Sequence, residues 1–351
     1  MTTALCQLLK LQYPLIQAPM AGVATPQLAA AVSNAGALGS ISVGAVTPQQ
    51  AADMIAHTQA LTSGPINVNV FCHAPARRDA AREAAWISRF SPQFAQYQTA
   101  LPPALTEIYQ SFLHNEAMLT VLEQARPAAV SFHFGLPDAT VIARLKQRDI
   151  VTLATATSPQ EARAIARSGI DIIVAQGYEA GGHRGHFDPG APDQQLSTVA
   201  LVQAIRQHTA LPVVAAGGVM DGAGIATMMK LGASGVQLGT AFVLCPESAA
   251  SAAYRRALLA AGARGTVMTA AISGRQARCV RNAFCELCHD VTPEEIPDYP
   301  LTYALGKALA AAAAHGEDGF GAQWAGQGVA RVRALPAAQL VETLIAEWQQ
   351  A

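Results

Sequence analysis

From residue 15 onward, short runs of apolar and β-branched residues alternate with alanine-rich stretches whose apolar positions recur at helical spacing. The runs at 15–20, 39–44, 66–71, 129–135, 150–157, 171–177, 212–216 and 235–239 read as strands of a parallel sheet. Between them, helices are predicted to open at Thr25-Pro26, Thr47-Pro48, Asp138, Ser158-Pro159, Ser197 and Asp221. At each of these a Ser, Thr or Asp side chain can accept a backbone N–H that the first helical turn leaves unpaired. Eight strands, each followed by a helix, close more naturally into a (β/α)8 barrel of the TIM type than into an open doubly wound sheet, so the predicted class is α/β with a closed barrel.

Two stretches break the rhythm. Residues 76–111 make one strand-to-helix link too long, and residues 261–334 hold no clean strand–helix alternation. Barrel insertions at strand C-terminal ends lie over the active-site mouth, so the two segments are predicted to pack together as a smaller, mainly helical substrate lid. The barrel itself then comprises residues 1–75, 112–260 and 335–351, with a helix over 337–348 returning to its wall.

Composition supports an enzyme-sized body. Of 351 residues, 51% are hydrophobic and 13% charged, which supplies a large core and argues against disorder. A formal charge of -1 without a basic stripe excludes the footprint of a nucleic-acid binder. The first residues lack the basic start, long apolar run and cleavage site of a secretory signal, and no apolar stretch reaches bilayer length. A soluble, cytoplasmic protein with small-molecule partners is expected, as a monomer or homodimer. Cys285-Glu286-Leu287-Cys288-His289 matches a haem-attachment pattern. Covalent haem requires export and zinc requires a second ligand pair, so ordinary buried thiols and no metal are predicted.

Chemistry concentrates late in the barrel. The segment AAGGVMDGAGIATMMKLGASGVQLGTAF places Gly217-Gly218 and Gly239-Thr240 after the seventh and eighth predicted strands. Turns at these two places commonly bind a phosphate, because glycines let backbone N–H groups approach the oxygens. No G-x-G-x-x-G follows any strand, which leaves a Rossmann nicotinamide site without support and makes FMN the better fit.

At this point the sequence resembles the nitronate monooxygenases, formerly 2-nitropropane dioxygenases, in their bacterial FMN class I. The likeness covers most of the barrel and rests on QAPMAGVATPQLAAAVSNAGALGSI from Gln17, NVNVF from Asn67, SFHFGLP from Ser131, QGYEAGGHRGHF from Gln176 and the double-glycine stretch. It implies flavin contacts at Met20, Asn69, Gln176, Gly181, Gly218, Gln237, Leu238, Gly239 and Thr240, and a catalytic role for His133. These placements agree with position: Met20, Asn69, His133 and Gln176 all sit at predicted strand C-terminal ends. Amides buried at Asn69 and Gln176 need matched donors and acceptors, such as a flavin edge offers. Strand alternation turns His133 away from Phe132 and Phe134 and toward the barrel interior.

His183, in the glycine-rich loop after the sixth strand, is a second catalytic candidate that a flexible loop could close on substrate. Tyr109, Tyr254, Tyr299 and Tyr303 lie in or near the two insertions, and Lys307 follows Tyr303 by one helical turn. On a shared face, Tyr303 and Lys307 would present a phenol and an ammonium to an anionic substrate. The resemblance implies oxidation of alkyl nitronates, typically propionate 3-nitronate, by O2 to an aldehyde or semialdehyde and nitrite, by one-electron transfer to the flavin and without an external reductant. Positive charge from His133, His183 or Lys307 is expected to assist. The competing reading on the same scaffold is an NADH-dependent FMN reductase of quinones or enoyl thioesters, which shares a similar EAGGH segment and would bleach its flavin on anaerobic mixing with NADH. A non-catalytic flavin sensor would turn over neither.

Overall fold

The computed structural model of the chain describes residues 3–313 and 319–351. The strands are β1 (Leu15–Gln17), β2 (Gly39–Ser42), β3 (Ile66–Phe71), β4 (Ala129–His133), β5 (Val151–Ala156), β6 (Ile172–Gln176), β7 (Gly182–His183), β8 (Val213–Ala216), β9 (Gly235–Leu238), β10 (Thr266–Thr269) and β11 (Ala277–Val280). Eight of them pair in parallel in the order β1-β9-β8-β6-β5-β4-β3-β2. Backbone hydrogen bonds from Gln17 to Leu38 and from Leu38 to Leu15, both 2.9 Å, join the two ends and close the barrel.

Most of these strands stop short of the predicted runs. The strands end at Gln17, Ser42, His133, Ala156, Gln176 and Leu238, so Met20, Phe134, Gly177 and Gly239 belong to loops at the mouth. The helices begin where cap chemistry places them: the side chains of Thr25, Thr47, Ser158, Ser197 and Asp221 each accept a first-turn N–H. Asp138 occupies its cap position without making that bond.

The two ends of the barrel differ in chemistry. At the N-terminal end the helix Ala4–Leu9 inserts Leu5, Cys6 and Leu9 against Ile16, Leu38, Leu153, Ile172 and Val214, forming an apolar plug. Further up, the interior is polar: Asn67 Nδ2 donates to Ser40 Oγ and Ser131 Oγ, each at 3.1 Å, and Ser42 Oγ donates to Asn69 Oδ1 at 3.2 Å. The final helix, Ala337–Gln350, packs on Pro26–Asn34 and Gly222–Lys230 and completes the outer wall.

The two interrupting stretches share an apolar core separate from the barrel's. Trp86, Phe90, Phe94 and Leu105 pack with Phe284, Leu301, Leu305 and Leu309, and the Phe90 and Phe284 rings lie 5.3 Å apart. Beside its helices this body contains a three-stranded antiparallel sheet, β10-β11-β7, whose third strand comes from the loop after β6. Periodicity gave no sign of it, because Thr266, Val267, Met268 and Thr269 are all half-buried and show no alternation. Cys285 lies 3.5 Å from Cys279 (Sγ to Sγ), Cys288 is buried, and His289 is exposed with Nδ1 2.7 Å from the Glu286 carbonyl. Among the described residues no cluster of three His, Cys, Asp or Glu side chains is placed to hold a metal, and no helix is long and apolar enough to cross a membrane.

Candidate active site

A cavity of about 1140 Å³ opens at the C-terminal mouth of the barrel, between the strand ends and the small body. Single small-ligand pockets run to roughly 1,000 Å³, so this one has room for a cofactor and a substrate together. Met20, Asn69, His133, Gln176, Gly181, His183, Gly217, Gly218, Gln237, Gly239 and Thr240 all line it. Leu238 does not: its side chain is 1% exposed and belongs to the apolar layer between sheet and helices. Alternation along β9 turns Gln237 and Leu238 to opposite faces.

One wall is a cradle of backbone donors. Gly217 and Gly218 follow β8 with φ of 121° and 73°, a region that favours glycine, and a Cβ on Gly217 would approach Thr198 Oγ1 to 2.9 Å. The carbonyls of this turn are held by side-chain donors: Thr198 Oγ1 bonds Gly217 O at 2.9 Å, Arg331 bonds Gly218 O at 3.1 Å and Arg333 bonds Met220 O at 2.8 Å. In a planar trans peptide the following N–H points the opposite way. The N–H groups of Gly218, Val219, Gly239 and Thr240 find no acceptor among the described residues. All four residues line the cavity. Buried backbone donors are rarely left unmatched, so these fit the oxygens of a phosphate. Gln237, whose half-buried carboxamide has no hydrogen bond among the described residues, fits a polar ring edge on the same side.

The two buried amides are satisfied differently from expectation. Asn69 Nδ2 donates to Ser131 O at 3.1 Å, while Gln176 Nε2 donates to His183 O at 2.9 Å and Gln176 Oε1 accepts from Gly185 N at 2.8 Å. Their partners are protein groups, so their burial does not by itself demand a flavin. Gly181 is likewise explained by close packing, since a Cβ there would lie 2.5 Å from Gly326 N.

The opposite wall carries the histidines. His133 Nε2 lies 3.2 Å from the His183 carbonyl, which can only accept, so this nitrogen carries the proton. Nδ1, 3.1 Å from Thr155 Oγ1, then accepts the threonine hydroxyl. His183 is held in β7 rather than in a flexible loop: β7 pairs with β11, and Nε2 lies 2.9 Å from Ser273 Oγ. That hydroxyl gives its proton to Arg275 O at 3.0 Å, so His183 Nε2 is the donor and its Nδ1 keeps a lone pair. Burial pushes His133 down to about 4 and His183 down to about 3, with repulsion from Arg275 adding to both. Both are neutral near pH 7, which corrects the expectation that they supply positive charge.

Phe134 departs from alternation as well. The strand ends at His133, Phe134 adopts φ 74°, and its ring turns into the cavity 4.5 Å from the His133 ring. Above it, Tyr109, Tyr299 and Tyr303 form an aromatic rim with Lys307 Nζ 5.0 Å from the Tyr109 ring centre and 5.4 Å from that of Tyr303. Burial raises Tyr109 and Tyr303 to about 12 and raises Tyr299 as well, so all three are neutral hydroxyls. Tyr254 lines the cavity too, but its hydroxyl is committed to the Trp324 carbonyl. Thr155, Phe134, Ser273 and Trp324, whose ring centre is 5.0 Å from that of His183, also belong to the site and carry no signal in the sequence. Thr155 and Ser273 act through hydrogen bonds across different elements, which no local pattern reveals.

Comparison with known proteins decides the family. The sequence profile of the family described as "Nitronate monooxygenase" matches residues 2–347. The chain belongs to the nitronate monooxygenase family. It is 55% identical to the nitronate monooxygenase of Paraburkholderia phytofirmans over 348 residues, covering 99% of this chain and 95% of the relative. With the nitronate monooxygenase of Pseudomonas aeruginosa the identity is 50% over 350 residues, 99% of each chain. Among solved structures, nitroalkane oxidase from Streptomyces ansochromogenes superposes with a TM-score of 0.90 at 38% identity, covering 99% of this chain and 98% of that one. FabK from Thermotoga maritima superposes with a TM-score of 0.77 at 27% identity over 100% and 97%. Family membership makes this chain an oxidoreductase of the nitronate monooxygenase type on a (β/α)8 barrel.

Proposed function

We propose that the protein binds FMN and uses O2 to oxidise alkyl nitronates, propionate 3-nitronate being the representative substrate, to an aldehyde or semialdehyde and nitrite. The observation that carries this reading is the set of four unmatched N–H groups at Gly218, Val219, Gly239 and Thr240, facing a cavity large enough for two ligands. Those groups and Gln237 would hold the cofactor, with Met20 and Gly181 against it. Bound FMN would supply the electron acceptor for the nitronate, by one-electron transfer, and the donor for O2.

The remaining residues bind and orient. A nitronate is already deprotonated at carbon, so its oxidation requires placement and charge matching more than a base. Tyr109, Tyr299 and Tyr303 offer neutral hydroxyls, and Lys307 offers a cation at the exposed edge of the same rim. His183 presents an Nδ1 lone pair, and His133 fixes the carbonyl of residue 183 and so positions that ring. The small body above the mouth serves as the substrate lid and excludes water from the reacting atoms.

The test is direct. Denatured protein should release FMN, identified by its spectrum and chromatographic mobility, and aerobic turnover of propionate 3-nitronate should yield nitrite with no reductant added. Rapid bleaching by NADH, with no nitronate turnover, would sink this reading in favour of the reductase.

A further inference from the structure

Just outside the cavity lining lies a buried cation with no counter-ion. Arg275 is 4% exposed, and no carboxylate pairs with it among the described residues. One of its terminal nitrogens donates to the His186 carbonyl, while Nε finds no acceptor. Burying a charge without a carboxylate partner is costly, so its retention beside a cavity points to a role at that site. The guanidinium lies 4.3 Å from the centre of the Phe134 ring. Around that ring stand His133 at 4.5 Å, Tyr299 at 5.3 Å, His183 at 5.5 Å and His73 at 6.3 Å, centre to centre.

We propose that Arg275 is a positioning residue that supplies the fixed positive charge of the site from behind the Phe134 ring, selecting anionic over neutral substrates. This deepens the nitronate reading and rests on it. Arg256 lines the cavity on the helix Ala252–Arg264, away from the Phe134 and histidine cluster, and the charged groups around that cluster are committed elsewhere. Arg184 is neutralised by a two-pronged pair with Asp193 at 2.8 and 2.9 Å. Arg278 is turned to the Tyr178 carbonyl, and Lys307 stands at the exposed rim. Glu161 is engaged by Thr157 and by the Phe187 N–H, and Asp188 by the Gly190 N–H. His73, His133, His183 and His186 all face Arg275 and are all lowered mainly by burial, with Arg275 contributing, so none competes as a cation at neutral pH. Burial brings Arg275 down to about 10, which leaves it charged throughout the working range.

The probe is nitrate, a planar oxyanion, with its affinity measured calorimetrically on the purified protein, on Lys307→Met, and on Lys307→Met combined with Arg275→Gln or Arg275→Lys. In Lys307→Met the affinity should stay within about threefold from about pH 6 to about pH 9, because a guanidinium does not titrate there. Adding Arg275→Gln should weaken nitrate about tenfold, and Arg275→Lys should recover most of that loss. Arg275→Gln should also narrow the preference in kcat/KM for a nitronate over its neutral nitroalkane by about tenfold. The proposal is overturned by affinity that falls about tenfold per pH unit above pH 7 in Lys307→Met, by glutamine and arginine forms that bind alike, or by absence of nitrate binding. If the glutamine variant fails to fold, the pH series of Lys307→Met combined with Arg275→Lys decides: nitrate affinity should fall toward about pH 9 as a buried lysine loses its proton, and a series identical to that of Lys307→Met alone overturns the proposal. A wild-type protein that binds nitrate in this way yet oxidises no nitronate would refute the proposed activity and leave the role of Arg275 standing.

Discussion

At His133 both ring nitrogens are engaged, one by Thr155 and one by the carbonyl of residue 183, so the ring acts as a brace between β5 and β7. His133→Asn should therefore lower nitronate turnover by at least about tenfold, and steady-state nitrite release reads it. Unchanged turnover of both nitronate and nitroalkane would remove the residue from the mechanism. The depressed histidines also predict how stability follows pH. His73 and His133 sit near 4 and His183 near 3 when folded, against an ordinary 6.5. The unfolded chain therefore takes up these protons first as pH falls. Stability should be full above about pH 6.5 and lost toward pH 4, at up to about 1.4 kcal/mol per pH unit for each histidine. Urea midpoints that match at about pH 7 and about pH 5 would contradict the burial of these rings. Alternation along the strand made the inward face of His133 legible in sequence. It failed one residue later, because Phe134 adopts a positive φ that no hydropathy pattern encodes.

At the scale of elements, glycine does two separable jobs. Gly218 supplies a positive φ of 73° inside the donor cradle, whereas Gly222 lets the last helix approach, a Cβ there lying 2.2 Å from Trp348 N. Gly218→Ala should weaken FMN retention about tenfold while costing about 1–2 kcal/mol of stability. Gly222→Ala should cost about 1–3 kcal/mol and leave the flavin-to-protein ratio unchanged. Flavin absorbance against protein absorbance, together with a thermal melt, separates the two. Cap residues made the helix starts readable, and the order of the two glycine turns made the cradle readable. Asn69 and Gln176 line the cavity, but Ser131 and the 183–185 backbone already bond them, and such long-range partners leave no trace in a local motif.

For the whole molecule, the rhythm of strand and helix carried the barrel and its closing helix, because each unit obeys the same local rules. The small body was harder to read, since its core is assembled from stretches nearly 200 residues apart, as in the contact of Phe90 with Phe284. Leu305→Ala, in the middle of that core, should cost about 2–5 kcal/mol. Because the cavity roof depends on this core, KM for the nitronate should rise more than kcat falls, and a KM left at the wild-type value would separate the roof from substrate binding.

The pairing of β7 with β11 fastens the strand that bears His183 to the hairpin overhead. Lifting the whole roof like a hinge would tear that seam and pull the imidazole out of register with Ser273. If substrate enters instead at the rim of Tyr109, Tyr303 and Lys307, which lines the same cavity, a bulky side chain planted there should slow ingress while the chemistry below stays intact.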